Sequence, residues 1–458
     1  MKATQVLLYS SLLFGSFSVS ADLLIGDRLE LFVDDHLIAS MEGDARKVQH
    51  RPEPRDVALV TGEPWEGNTS AYYTFFQDGD LFRLYYRGSH ADPKTQKGMH
   101  PEVTCYAESS DGIHWTKPHL GLVDWKGSKA NNIILASPGT HNFAAFKDGN
   151  PTCADDARYK ALGSGKGGLV AFKSPDGIHW SLMSKQPVIT RGAFDSQNLA
   201  FWDPVRMEYR AYWRIFTDGV RAIRTSTTVD FMSWPDDVDL VYPNTPPQHL
   251  YTNAVRPYFR APHIFIAFPT RYLPKEGQRV EPILMTSRDG VSFQRWNDPV
   301  VPQDAPKDRA GNRSNYMAWG MAKLPGYPKE ISVYATEAYY AGPDSRLRRF
   351  VFRLDGFVSV HAGGEGGSLT TKPLNFTGRY LRVNFTTTSG GSLKVELQDA
   401  GGKVIPGFGL TDCESLTGDS VNQIVRWKQK SDLAALRGTP VRARFVLKNT
   451  DLYSVRFK

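Results

Sequence analysis

The chain has 458 residues, with 55 Lys and Arg against 48 Asp and Glu, 12% aromatic residues and three Cys. The basic excess is small and contains no block of Lys or Arg, which disfavours a nucleic-acid partner. Three cysteines are too few for a disulfide framework. Cys105 and Cys153 could pair or remain buried thiols, and Cys413 is left over either way. The 40 Gly and 29 Pro suit short strands joined by tight turns, which predicts an all-β protein.

The first 21 residues have the pattern of a secretory signal peptide. Lys2 is followed by an apolar stretch from Val6 to Phe17 and by the small-x-small site 19–21, so we expect cleavage after Ala21 and a secreted or periplasmic protein. The apolar stretch is too short and too interrupted by Ser to span a bilayer, and no other segment approaches its length. We therefore predict no membrane span.

A turn motif recurs along the middle of the chain. An Asp precedes an aromatic residue by four positions at 111–115, 176–180, 230–234 and 289–293, and in three of these copies Gly follows the Asp. Asp-Gly supplies the positive φ of a tight turn, and the aromatic side chain is predicted to fill the gap between neighbouring sheets. The Asp-to-Asp spacings are 65, 54 and 59 residues. Repeats of this length with strands between them predict a β-propeller.

The predicted elements follow in chain order. Residues 29–38 are predicted as one strand that closes the ring by completing the last blade. The first blade begins near Glu66, and strand pairs repeat as far as 349–353, which predicts five blades at the mean spacing. After a Gly-rich linker at 361–368, alternating strands predict a β-sandwich. The predicted domains are a five-bladed propeller over 22–357 and a sandwich over 358–458.

Five short segments carry a resemblance to a known group of proteins. They are Leu31-Phe32-Val33-Asp34-Asp35, Pro64-Trp65-Glu66-Gly67, the Asp-Gly-Ile-His-Trp turns, Arg353-Leu354-Asp355-Gly356-Phe357 and Val395-Glu396-Leu397-Gln398-Asp399. On these segments the chain resembles the five-bladed glycoside hydrolases of families 32, 43 and 68, and more closely an exported bacterial branch. The resemblance covers nearly all of residues 22–458 and implies a carbohydrate substrate. The Trp-Met-Asn-Asp-Pro segment of invertases is absent, so their sucrose chemistry is not implied.

Hydrolysis of a glycosidic bond needs two carboxyl groups, and in a propeller they are expected where the inner strands line a central funnel. Four acids are catalytic candidates. Glu66 enters the first inner strand, and Asp195 enters the third, near where related propellers place a transition-state-stabilising Asp. Glu337 lies among aromatic residues, which would raise its pKa as a general acid requires. Asp148 lies in a hairpin, where turn chemistry explains it without catalysis.

Three arginines are candidates for substrate binding. Arg87, Arg214 and Arg271 each end the second strand of a blade. Guanidinium groups that converge on a funnel would hold a carboxylate or sulfate, which predicts an anionic glycan as substrate. The alternative is that each Arg pairs with a nearby acid. Tyr316 is a candidate to stack on a sugar face.

The function prediction has two alternatives. A sialidase-like enzyme would use the arginines for a carboxylate and a Tyr nucleophile beside an acid, and Glu337 with Tyr339 or Tyr340 is the local fit. A non-catalytic glycan-binding propeller would lack two acids within catalytic range. The sequence predicts no cofactor, leaves a Ca²⁺ ion in the funnel open, and does not determine the oligomeric state.

Overall fold

The computed structural model describes residues 22–243, 245–309, 316–428 and 430–458. The predicted signal peptide, residues 1–21, lies outside the described residues. The described part is all-β, as predicted, and its helical content is two short 3₁₀ helices, Asp155–Ala157 and Ala434–Leu436. Among these residues no helix is long and apolar enough to span a membrane.

Five strands precede the first complete blade. They are β1 (Leu23–Gly26), β2 (Leu29–Leu31), β3 (Ile38–Gly43), β4 (Arg46–Gln49) and β5 (Glu53–Val60).

The next eighteen strands form four sheets, each one blade, and two further strands belong to a fifth. Blade one contains β6 (Ala71–Asp78), β7 (Leu81–Gly88), β8 (Val103–Ser109) and β9 (Ile133–Leu135). Blade two contains β10 (His141–Lys147), β11 (Tyr159–Gly165), β12 (Gly168–Ser174) and β13 (Ser181–Leu182). Blade three contains β14 (Leu199–Asp203), β15 (Glu208–Thr217), β16 (Val220–Thr228) and β17 (Val238–Asp239). Blade four contains β18 (His249–Leu250), β19 (Arg256–Tyr258), β20 (Ala261–Ala267), β21 (Thr270–Leu273), β22 (Arg279–Ser287) and β23 (Gln294–Pro299).

Blade five joins the two ends of the propeller. Its strands are β24 (Glu330–Glu337) and β25 (Arg346–Arg353), and β5 pairs with β25 on the far side. The inner segment 316–322 is attached to β24 by the bridges Met317–Ala335 and Ala322–Ser332. The predicted number of five blades is therefore confirmed.

The strand that closes the ring is β5, so the prediction that residues 29–38 do so is wrong. β2 pairs with the C-terminal strand β31 (Val441–Phe457) instead. The apolar pattern of this segment arises because it lies between two cores: Leu31 and Val33 pack into the propeller core, whereas Phe32 packs into the other core, with its ring 6.3 Å from that of Phe445.

The second unit is a ten-stranded β structure built from both ends of the chain. Its C-terminal strands are β26 (Val358–Ala362), β27 (Gly367–Thr371), β28 (Leu374–Phe376), β29 (Leu381–Asp399), β30 (Asp419–Ile424) and β31. The strands β1 to β4 join this sheet, through pairs such as β1 with β28 and β4 with β26. The segment 22–49, predicted as part of the propeller, therefore belongs to the C-terminal sheet domain.

The recurrent Asp-Gly turns connect neighbouring blades. Gly112, Gly177 and Gly290 have φ between +72° and +78°, the left-handed conformation expected for the turn. The carbonyl of Gly177 accepts a hydrogen bond from the Tyr85 hydroxyl of blade one at 3.0 Å, and the Gly290 carbonyl accepts one from Tyr212 of blade three at 2.8 Å. The turns are structural, and they fix each blade against its neighbour.

The Trp of the turn fills the space between blades, as predicted. Trp180 packs edge-on against Tyr85 of blade one, at 6.1 Å, and against Phe143 of its own blade, at 5.0 Å. The three cysteines are free: Cys105 and Cys413 are buried and Cys153 is partly exposed. The pairing of Cys105 with Cys153 that the sequence left open is not formed.

Candidate functional site

A cavity of about 430 Å³ opens at the mouth of the propeller where the inner strands begin. Each blade contributes a side chain from that position: Tyr72, His141, Asp195, Tyr251 and Tyr316 line the cavity. Because the second strand of a blade runs antiparallel to the first, its end reaches the same mouth. The cavity is therefore a product of the blade topology, which gathers residues that are far apart in the chain.

A buried side chain next to the cavity links inner strands from different blades. Gln197 donates from Nε2 to the backbone carbonyls of Tyr72 and Tyr73, at 3.2 and 3.1 Å, and to the hydroxyl of Thr74 at 3.0 Å. Asn253 donates to the carbonyl of Gln197 at 3.1 Å. These hydrogen bonds join the inner segments of blades one, three and four.

Two inner strands begin with a bulge at this mouth. The register shifts between Ala71 and Thr74 in β6 and between His141 and Ala144 in β10. Within these bulges Tyr72 and Asn142 each have a φ of +57°. A left-handed Tyr costs of order 1 kcal/mol or more, and such strain clusters at functional sites. Tyr72 and His141, at the starts of these two strands, line the cavity.

An imidazole joins the two carboxylates of the cavity. His141 lies 2.7 Å from Glu102 through Nδ1 and 3.2 Å from Asp195 through Nε2. His141 is the first residue of β10, Asp195 precedes β14, and Glu102 ends the segment that joins β7 to β8. The side chain of Asp195 is 65% exposed, so it is the most accessible of the three. One ring therefore separates two carboxyl groups at the mouth of the funnel.

The hydrogen bonds of this group lower the pKa values of both acids and raise that of the imidazole. The hydrogen bond from His141 and the charge of Arg214 lower the pKa of Asp195 to about 2. Burial would raise this pKa, but its effect is smaller than that of the hydrogen bond. Burial raises the pKa of Glu102, but His141 and Arg87 outweigh it, so the net direction is downward. Burial lowers the pKa of His141, and its bonds to Asp195 and Glu102 reverse this, so the net direction is upward.

Three guanidinium groups surround the acids. Arg87 is buried, lies 3.4 Å from Glu102, and donates to the Tyr339 hydroxyl at 2.9 Å. Arg214 lies 3.8 Å from Asp195. Arg221 has no acid partner among the described residues and instead lies over the rings of Tyr272, at 4.6 Å, and Tyr251, at 5.3 Å. Arg221 is therefore the cation whose charge is left for a ligand.

Tyrosines form the remaining wall. The ring of Tyr316 contacts the rings of Tyr72, Tyr251 and Tyr339, with centroids 5.3, 5.8 and 5.6 Å apart. Burial raises the pKa of Tyr72 and of Tyr316 well above the ordinary value, so both hydroxyls stay neutral. The wall offers aromatic faces and neutral hydroxyls, groups that suit the faces and hydroxyls of a sugar.

Of the eight residues predicted for the site, four lie at this mouth. Asp195, Arg87 and Tyr316 line the cavity, and Arg214 contacts Asp195 from β15. Their catalytic or binding roles remain predictions.

The structure corrects the placement of Glu66 and Glu337. The carboxylate of Glu66 is buried within blade one, 2.7 Å from Lys117 and 2.5 Å from the Tyr86 hydroxyl. Burial raises its pKa despite the Lys117 charge. Glu337 forms an ion pair with Arg348 at 2.6 Å, outside the cavity, so the acid expected beside Tyr339 points elsewhere. Neither residue lines the cavity, because each carboxylate is held in a buried ion pair instead.

Asp148 and Arg271 also lie apart from the cavity. Asp148 is buried against Lys160 and accepts a hydrogen bond from the Tyr209 hydroxyl at 2.7 Å. Arg271 donates from Nε to Glu281 at 3.0 Å, which is the charge-cancelling alternative considered for the three arginines. Both residues therefore stabilise the scaffold.

Sequence reasoning missed Glu102, His141, Arg221 and Tyr251. The signal for His141 and Tyr251 was available, because both stand where an inner strand begins, as Asp195 does. Glu102 lies at the end of a loop that shows no strand pattern. For a metal ion, the described residues contain no group of three or more His, Cys, Asp or Glu arranged to hold one.

No protein-family model matches the chain, and no curated protein matches it. Solved structures that it resembles include an N-acetylgalactosamine deacetylase from F. plautii, with 13% identity, 69% of this chain and 97% of that chain covered, and a TM-score of 0.45. A β-1,2-mannobiose phosphorylase from Listeria innocua has 10% identity, 67% and 97% coverage, and a TM-score of 0.45. An exo-inulinase from Aspergillus awamori has 10% identity, 89% and 99% coverage, and a TM-score of 0.41. At these identities and TM-scores the similarity transfers no activity to this chain.

Proposed function

We propose that the protein is an exported glycoside hydrolase that binds an anionic glycan in the cavity at the start of the inner strands. The observation that carries the proposal is the hydrogen-bonded group Glu102–His141–Asp195, which lies among guanidinium groups and tyrosine rings. The sequence features of a signal peptide at residues 1–21 support export.

Asp195 is the proposed base or nucleophile. Hydrolysis requires an ionised carboxylate that can reach the anomeric carbon or the attacking water. Asp195 is ionised at neutral pH, because its pKa is lowered to about 2, and its side chain is 65% exposed at the cavity. Tyr251 donates to its second oxygen at 3.2 Å, which holds the carboxylate in one orientation.

His141 is proposed as the proton donor in place of a second carboxyl group, and Glu102 is its positioning residue. Both carboxylates have lowered pKa values, so neither keeps a proton at neutral pH, whereas the raised pKa of His141 favours the imidazolium. A general acid with a pKa near the working pH is effective. The shorter bond, to Glu102, orients the ring, and a substrate oxygen would replace Asp195 at the longer one.

Arg221 supports an anionic substrate. Its guanidinium lines the cavity without an acid partner in the described part of the chain, and its Nε is buried without a hydrogen-bond acceptor. A carboxylate or sulfate group on the sugar would accept paired hydrogen bonds from such a group. The arginines predicted from sequence are mostly compensated by acids, so Arg221 carries this part of the proposal.

A second candidate is a glycan-binding propeller without catalysis. It is favoured by one observation, that neither carboxylate of the cavity has the raised pKa of a carboxylic acid donor. In this case the same cavity would bind the anionic glycan and release it unchanged.

The test is hydrolysis of charged and neutral polysaccharides, followed by reducing-end release, with Asp195→Asn as the variant. We expect activity on a uronic or sulfated glycan and a loss of roughly 10²–10⁴-fold in kcat for Asp195→Asn. The matched control is Asp80→Asn, because Asp80 is an exposed hairpin acid outside the cavity. Undiminished hydrolysis by Asp195→Asn would remove Asp195 from the mechanism. Saturable binding without product from any glycan would establish the second candidate instead.

A further inference from the structure

A second concavity, of about 830 Å³, lies where the propeller meets the C-terminal sheet domain. We call it the basic groove. One wall comes from the propeller, with Arg260 and Lys323, and the other from β29, β31 and the segment that contains Arg437. It shares no lining residue with the cavity described above.

The lining of the basic groove is strongly cationic. Seven side chains are basic and the one acidic side chain is Asp27. The basic residues are Arg260, Lys323, Arg379, Arg382, Arg437, Arg456 and Lys458. The whole chain has a formal net charge of +7 over 458 residues, so this single groove concentrates cations far above the average density. A cleft lined by one sign of charge focuses its field on a ligand of the opposite sign.

Three of these cations have acid partners that consume their charge. Arg260 lies 3.0 Å from Asp355, Arg379 pairs with Asp432, and Arg456 lies 3.7 Å from Asp27. Lys323, Arg382 and Arg437 have no ion pair among the residues that the structure describes. The Nε of Arg382 is also buried without a hydrogen-bond acceptor. An excess of uncompensated charge therefore remains in the groove.

Two of the arginines are placed against each other. Arg382 of β29 and Arg456 of β31 are directly opposite in the antiparallel register. Like charges at directly opposite positions destabilise a sheet. Asp27 relieves this repulsion in part, through Arg456. An anion bound by the two guanidinium groups would relieve the rest of the repulsion, which gives the arrangement a physical reason.

We propose that the basic groove binds a polyanionic glycan, a chain that carries sulfate or carboxylate groups. Several separate cations along a groove suit an anion with charges at intervals, rather than a single small ion. A single-stranded nucleic acid is a poorer fit because it needs aromatic platforms for its bases, and Tyr380 is the one aromatic residue among the described lining. The ligand proposed for the groove belongs to the same class as the one proposed for the cavity. Its binding to the groove does not depend on any catalysis in the cavity.

The experiment measures binding of the full chain to immobilised dextran sulfate, with neutral dextran as the matched probe. We expect binding to dextran sulfate alone, with an affinity that falls steeply as salt increases. In the variant Lys323→Gln, Arg382→Gln, Arg437→Gln, the affinity should fall by about tenfold or more and depend less on salt. All measurements use the Asp195→Asn background as well, where binding should persist even if hydrolysis is lost.

The control removes the same charge elsewhere. Lys94→Gln, Lys129→Gln, Lys166→Gln neutralises three exposed lysines outside the groove and should leave the affinity within about twofold. A second variant, Lys323→Glu, Arg437→Glu, changes exposed side chains alone. It should leave the fold intact and remove the contribution of the groove, so that only binding by the cavity remains. The proposal would be overturned if the control variant lost as much affinity for dextran sulfate as the groove variants, or if both groove variants bound it unchanged. Competition by single-stranded DNA as strong as that by free dextran sulfate would also overturn it.

Discussion

The imidazole of His141 is subject to opposing influences on its pKa. Burial lowers the pKa, and hydrogen bonds to Asp195 and Glu102 raise it by more. The stabilisation from these bonds is fully present below the ordinary pKa of 6.5 and is lost as pH rises through the raised value. For Asp195 the sense is opposite: its stabilisation is present above 3.8 and is lost as pH falls through about 2. The hydrogen bonds between His141 and its two acids therefore contribute most to stability between pH 3.8 and pH 6.5.

This competition predicts a shift in the titration of His141. In Asp195→Asn the ring keeps the lowering effect of burial and loses the larger raising bond, so its pKa should fall below that in the unsubstituted protein. The measurement is an NMR titration of the imidazole resonances. His50, which is partly buried beside Asp451, should titrate below 6.5 in both proteins. An unchanged pKa for His141 would show that Asp195 does not face the ring.

At the scale of elements, the strand β5 decides whether the propeller closes. It pairs antiparallel with residues Arg346 to Val351 of β25, although the strands of all the other blades lie between the two in the chain. Leu59 of β5 is 5% exposed and belongs to the core of blades one and five, together with Tyr334 and Leu347. Ring closure thus combines backbone pairing with the apolar contacts of one N-terminal strand.

Leu59→Ala should destabilise the protein by about 2–5 kcal/mol, because it removes a buried side chain and leaves a cavity in this core. The measurement is the free energy of unfolding in denaturant. The neighbouring Val60 is 39% exposed, and Val60→Ala should change stability by no more than about 0.5 kcal/mol. Comparable losses in the two variants would contradict the closing role assigned to β5.

At the scale of the whole molecule, ionic contacts join the N-terminal segment to blade four. Glu30 is fully buried and lies 2.9 Å from Arg288, which also contacts Asp34 at 2.6 Å. Burial alone would raise the pKa of Glu30, but the His263 ring, 3.2 Å away, and the charge of Arg288 lower it to about 2. Because a depressed carboxyl pKa stabilises the fold above the ordinary value of 4.5, this contribution is lost as pH falls toward 2.

Arg288→Ala should therefore destabilise the protein by roughly 3–5 kcal/mol, because Glu30 stays buried with part of its compensation removed. The pKa of Glu30 should rise, so acid-induced unfolding, followed by circular dichroism, should occur at a higher pH. Arg46→Ala removes an exposed pair with Asp44 and should cost less than about 1 kcal/mol. Equal acid midpoints for the Arg288 variant and the unsubstituted protein would disprove this link between the domains.

The sequence by itself determined the features that depend on local spacing. Turn residues at regular intervals, with alternating apolar strands between them, were sufficient for the all-β class, the propeller and its five blades. The same logic located Asp195, since it stands where an inner strand begins. Local patterns succeed here because a turn and its aromatic residue act within one repeat.

Tertiary structure alone decided which strand closes the ring and which acids share a site. The apolar alternation of residues 29–38 and of 53–60 is compatible with either sheet, and long-range pairing made the choice. Glu66 and Glu337 are acids beside inner strands, yet Lys117 and Arg348 draw them into buried pairs. Glu102 reaches His141 from a loop 39 residues earlier in the chain, and no local pattern encodes that contact. Partners of charged side chains are set by three-dimensional proximity, and a sequence pattern specifies only which side chains are available.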